Sequence, residues 1–204
     1  MKTLRTANIG FTAAFAAALL LLVSSAHAAD TYVVDPAHSS VSFRIRHLFS
    51  SVTGRFEKFE GKIVYDESDP KKSAASGSID VATINTNVAK RDEHLKSPDF
   101  FDAAKYPKIT FETTEVSDVS ADGKSGKLKG NLTMHGVTKP VVLEASFLGK
   151  GKDPQGKERI GLHATTKLDR KDYALTWNKA LESGGALVGD EVTIELDVEA
   201  AREG

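Results

Sequence analysis

The chain has 204 residues, no cysteine, and 27 basic against 28 acidic side chains, a formal charge of −1. With both signs interspersed, it lacks the basic stripe that nucleic-acid binding requires. The missing cysteine excludes disulfides, a thiol nucleophile, thiolate metal ligation and a cysteine-linked lipid anchor, so burial of apolar surface must hold the fold together.

Residues 1–28 read as a secretory signal peptide. Lys2 and Arg5 form a positive start, and "IGFTAAFAAALLLLVSS" is shorter than the ~20 apolar residues of a membrane span. Ala26-His27-Ala28 then supplies a small-residue processing site. The expectation is cleavage after Ala28, export to the periplasm, and one domain over 29–204.

Beyond Asp30 the dominant signal is alternation. "VSFRIRH" puts Val41, Phe43, Ile45 and His47 on one face. Strands follow over 54–65 and 77–85. Within 54–65 the phase slips between Phe56 and Phe59, predicting a bulge or sharp bend. A further strand over 109–116 precedes "KLKGNLTMH", with Leu128, Gly130, Leu132 and Met134 inward. "VVLEASF" turns Val141, Leu143, Ala145 and Phe147 inward. After a strand over 159–168, "VTIELDV" contributes Val192, Ile194, Leu196 and Val198. Period two with one wet face marks antiparallel sheet, and "ESDPKKS", "ADGKSG", "HGVTKP" and "GKDPQGKE" carry the residues that turns need. Eight such strands form a sandwich or close into a barrel wide enough for one small ligand. Gly54, Gly61 and Gly130, which add no side-chain volume to the inward set, hint at an empty interior.

One segment breaks the pattern. "RDEHLKSPDFFDAAKYP", from Arg91 to Pro107, predicts a helix that begins near Asn87 and stops by Ser97, because the residue before proline avoids the α region. Ser97 and Pro98 then start a second short helical piece. Neither is long enough to be stable alone. Leu95, Phe100 and Phe101 must dock them on the barrel. Either both rings are core anchors, or, because adjacent residues on a helical turn point about 100° apart, one ring packs in the core and the other lies over the mouth.

These strings together resemble the YceI-like family: "YVVDPAHSSVSFRIRH", "GRFEKFEGKI", "RDEHLKSPDFFDAAKYPKITF", "GNLTMHGVTKPVVL" and "GDEVTIELDVEA". The resemblance runs from Tyr32 to about Ala200. It implies a lipocalin-like eight-stranded antiparallel β-barrel with one short kinked helical segment. It also implies a periplasmic carrier or store of a polyisoprenoid, such as an isoprenoid quinone or polyprenyl amphiphile, with a role in stress responses and frequently a homodimer. A broader scavenger of amphiphiles, including fatty amides or hydrophobic toxins, is the alternative reading. The resemblance further implies Gly in the place of Ala174 in "RKDYALTW", where a left-handed backbone would be strained.

No catalytic or metal constellation emerges. There is no G-x-S-x-G, no P-loop pattern and no His-x-x-x-His, and adjacent Glu93 and His94 point apart on a helix. No cofactor is implied. An enzyme acting on the bound lipid would depend on His47 as general base. His38 is expected to stabilise its turn against Asp35 or Ser39, and Arg91 or Asp92 to tie the helix to the barrel. The expected inward set is Phe43, Ile45, Phe56, Ile63, Leu132, Met134, Leu143 and Ile194. With His47, Phe100, Phe101 and Trp177, which is either a rim aromatic or packed on the surface, they make up the expected cavity and mouth.

Overall fold

The computed structural model describes residues 29–182 and 184–204. The signal-peptide expectation for 1–28 lies outside them. The strands are β1 (Asp30–Val34), β2 (Ser40–His47), β3 (Ser50–Phe56), β4 (Phe59–Tyr65), β5 (Ala74–Asp80) and β6 (Ile84–Asn85). Helix α1 (Ala89–Lys96) follows, then β7 (Lys108–Ser117), β8 (Ser125–Met134), β9 (Val137–Lys152), β10 (Glu158–Asp169) and β11 (Val188–Arg202).

These eleven segments fill eight places in a closed antiparallel barrel. The ring runs β1-β4-β5-β7-β8-β9-β10-β11 and returns to β1. β2 continues β1 along the same edge of β11 after a 3-10 turn at Pro36–His38. β3 and β4 are likewise one strand bent at Glu57-Lys58, where the phase slip predicted a bend, and β5 and β6 flank a 3-10 turn at Val81–Thr83. The bends interlock: Asp80 N donates to Lys58 O (2.9 Å), and Lys58 N to Thr83 Oγ1 (3.0 Å).

The helical segment fills a slot. The β5–β7 ladder ends at Asp80–Lys108, and α1 with the turns after it covers the barrel end where β6 has left β7. Leu95, Phe101 and Ala103 pack against the core cluster that includes Val81, Ile84 and Ile109. The sequence predicted a second short helix after Ser97; the structure has a series of turns there instead. Phe101 N reaches back to Leu95 O and Ala103 N to Lys96 O (both 3.0 Å). Proline lacks the N–H to continue the α pattern and bends the chain, and these backward bonds fold the segment onto itself.

Two of the three inward glycines, Gly54 and Gly130, require a correction. A Cβ on Gly54 would lie 2.4 Å from the Phe43 ring, and one on Gly130 2.4 Å from the Phe111 ring. Both positions make room for a cross-strand phenyl ring, not for a ligand.

Candidate functional site

The barrel encloses a cavity of about 520 Å³ with an almost wholly apolar lining, within the size range of small-molecule sites. All twelve residues expected at the cavity or mouth border it. Phe43, Ile45 and His47 project from β2, Phe56 from β3, and Ile63 from β4. Leu132 and Met134 come from β8, Leu143 from β9 and Ile194 from β11. Phe100, Phe101 and Trp177 come from segments outside the ladder. Strand alternation is enough to aim the ladder residues.

Two groups of aromatic rings bound the lumen. Toward the far end, where the β4–β5, β7–β8 and β9–β10 hairpins lie, Tyr65 of β4 stacks on Phe147 of β9, with centroids 4.9 Å apart and planes 7° from parallel. β4 and β9 stand on opposite sides of the ring of eight, so this stack spans the lumen. Tyr32, Ile160 and Ala200, all fully buried, pack beside it with Ile63 and Val198.

At the helix end the rings have a different origin. Phe100 lies 5.0 Å from Trp177 and 5.0 Å from the ring of His94, and His94 lies 5.0 Å from Trp177. All three rings belong to α1, the turns after it, or the loop between β10 and β11. Neighbouring Phe101 points the other way, meeting Phe56 edge-on at 6.1 Å within the core. The aromatic pair is split, one ring anchoring and one ring at the mouth.

Polar groups hold these covers in place. Arg91 Nε donates to Thr86 Oγ1 (2.7 Å) and its Nη2 to Thr86 O (2.9 Å). Asp92 accepts from Thr86 N (2.8 Å) and Thr86 Oγ1 (2.5 Å). Both residues therefore moor α1 to the buried Thr86. Arg170, which the sequence did not single out, moors the other cover. Buried at the end of β10, it donates to the carbonyls of Gly189 (2.9 Å), Trp177 (2.8 Å) and Leu175. A buried guanidinium with three carbonyl acceptors fixes a loop geometrically. Asn178 adds a two-point bridge to the Val188 backbone, accepting from N at 3.0 Å and donating to O at 2.7 Å.

The chemistry offered is sparse. The His47 ring borders the cavity but makes no hydrogen bond among the described residues, so no partner orients it as a base. His38 does stabilise its turn, its Nδ1 lying 3.0 Å from Asp35 Oδ2. The Tyr173 hydroxyl is buried without a partner among the described residues, and burial with nearby Asp172 pushes its phenol up to about 12. Asp35, His38 and Glu199 approach closely enough to share a cation, but Arg159 Nη1 already bonds Asp35 (2.6 Å) and Glu199 (2.7 Å).

The barrel and its covers match known proteins. A model of the YceI-like domain matches residues 32–200. The chain belongs to the YceI-like family. A UPF0312 protein of Vibrio cholerae is 43% identical over 162 residues, 78% of this chain and 84% of that protein. The Campylobacter jejuni YceI protein superimposes with a TM-score of 0.67 at 33% identity, covering 78% of this chain and 91% of that one. A Saccharophagus degradans domain, described as a polyisoprenoid binding domain, shares the fold with a TM-score of 0.59 at 18% identity, over 84% and 98% of the two chains. In this YceI-like chain Ala174 adopts φ +58° and ψ 19°, the left-handed conformation in which a Cβ is strained.

Proposed function

We propose that this chain carries or stores a long apolar lipid of the polyisoprenoid class inside the barrel, in the periplasm. One observation carries the reading: the cavity is apolar on nearly every side and is capped at the helix end by aromatic rings that no strand holds. Each CH₂ taken from water contributes roughly 0.8 kcal/mol. A few isoprene units therefore offset the cost of association without any strong polar contact. On this reading the head group lies at the helix end, where His47 and Arg91 border the cavity. The polyisoprenoid binding described for the S. degradans domain supports the same ligand class. Binding rather than catalysis is the reading taken: the His47 ring has no hydrogen-bond partner among the described residues, and the His94 ring, whose Nε2 lies 2.8 Å from Asp99 Oδ2, is packed against Phe100 and Trp177. Native mass spectrometry of protein isolated from the cell that makes it tests the proposal. One dominant polyprenyl mass is expected. A mixture of unrelated amphiphiles would favour the scavenger reading, and an empty protein would overturn both.

A further inference from the structure

His47 pairs with Ser50, so β2 and β3 are joined by a loop of two residues, Leu48 and Phe49. Favoured two-residue hairpin turns need φ > 0 at the first loop position and take Asn or Gly there. The β8–β9 turn obeys the rule in part, with His135 at φ +51° and Gly136 at φ +75°. The β2–β3 turn departs from it: Leu48 holds φ +51°, a conformation that costs a bulky side chain energy. Phe49 is 92% exposed. Two large apolar residues therefore occupy the turn, where water disfavours Phe49 and backbone geometry disfavours Leu48.

The surroundings indicate what would favour them. Residues 40–56 contain Arg44, Arg46 and Arg55 and no acidic residue. Arg44 and Arg46 are exposed and form no ion pair among the described residues, whereas Arg55 is paired with Glu57. Arg46 Nε donates to Leu48 O (3.2 Å), and Leu48 N to Leu187 O (2.9 Å), which holds the tip in shape. On the inner side of the same hairpin His47 and Val52 line the cavity, and so does Leu187. An exposed aromatic on a basic, acid-free hairpin at the rim of an apolar tunnel complements one surface: anionic headgroups over an acyl layer.

We propose that the Leu48-Phe49 tip docks the barrel on an anionic lipid bilayer. Phe49 enters the boundary between headgroups and acyl chains, and Arg44 and Arg46 lie against the phosphates. The proposal extends the lipid-carrying reading by bringing the helix-end mouth to a membrane, but docking is measured independently of cargo. The test is flotation of the full protein with phosphatidylcholine vesicles, with and without phosphatidylglycerol. Binding is expected only with phosphatidylglycerol, weakening as salt rises. Phe49→Ala should lower partitioning at least about tenfold, and Arg44→Gln or Arg46→Gln about fivefold each. None of the three should change the melting temperature or the lipid mass retained in the cavity. Leu48→Gly should raise the melting temperature and still weaken vesicle binding, a combination that a merely structural turn would not give. Equal flotation of wild type and Phe49→Ala overturns the proposal. So does a dimer in sedimentation that Phe49→Ala dissociates, which would make the tip a contact between copies. Loss of cargo with docking intact would instead count against the carrier reading alone.

Discussion

The two aromatic closures of this barrel use similar rings in opposite ways. Tyr65 and Phe147 are strand residues, Tyr65 in register with Asp30 of β1 and Phe147 with Leu162 of β10. They meet across the lumen, so separating them requires the barrel wall to move. His94, Phe100 and Trp177 meet at comparable distances, yet they sit on segments tied to the barrel by side-chain bonds from Arg91, Asp92, Arg170 and Asn178. Opening that group breaks aromatic contacts and no ladder hydrogen bond. Local openings start where backbone is least committed. Under the proposed function the first closure is a floor and the second a lid, and the difference lies in where the chain places the rings rather than in their chemistry.

Mutations can sharpen or break this contrast. The largest effect is expected from Phe101→Ala, which removes the anchor beneath the lid and should cost about 3 kcal/mol of unfolding free energy in urea titration. If the loss is negligible, the split of the pair is misread. Tyr65→Ala, which removes half of the floor, should cost about 2 kcal/mol by the same measurement.

A pH-dependent contribution comes next, from the charged group outside the far half. Hydrogen bonds from Arg159, first of all, hold the Asp35 carboxyl well below the usual carboxylate range, and they lower Asp153 as well. A depressed folded value stabilises the fold above the unfolded value of about 3.9. That stabilisation is lost as pH falls through the folded values. Melting curves of Arg159→Met and wild type should therefore differ most near neutrality and converge in strong acid. A gap that is the same at every pH would make Arg159 a packing residue only. The smallest effect is Ala174→Gly, which relieves left-handed strain just before the lid loop. It should raise stability by less than about 1 kcal/mol, part of the gain being offset by unfolded-state entropy.

Much of this was legible in the residues. The inward phase of Phe43, Ile45, Leu132, Leu143 and Ile194 follows from alternation, a local property, and Pro98 marked the end of α1. The bend between Phe56 and Phe59 was visible as a slipped phase. Other features depend on closure of the ring. Nothing in the sequence says that Tyr65 and Phe147 face each other across the lumen, because that requires knowing which strands stand opposite. Arg159 gathers Asp35 and Glu199 from two distant stretches and Asp153 from its own hairpin turn, and Arg170 recognises backbone carbonyls, which leave no sequence signature. Gly54 and Gly130 were misread because a missing side chain looks the same whether a ligand or a neighbouring phenyl ring fills the gap. Phe49 could have been found: with His47 and Ser50 paired, "LF" stands where a hairpin wants "NG".

The most direct test of the lid is the transfer of a fluorescent polyprenyl lipid from loaded protein to acceptor vesicles, comparing wild type, Phe100→Ala and Phe147→Ala. The melting temperature of each lipid-free protein is measured alongside. Phe100→Ala should release lipid about tenfold faster, equivalent to ~1.4 kcal/mol, with the lipid-free melting temperature unchanged. Phe147→Ala should lower that melting temperature. Equal stability losses in the two variants, with release from Phe100→Ala as slow as from wild type, would contradict the distinction between lid and floor.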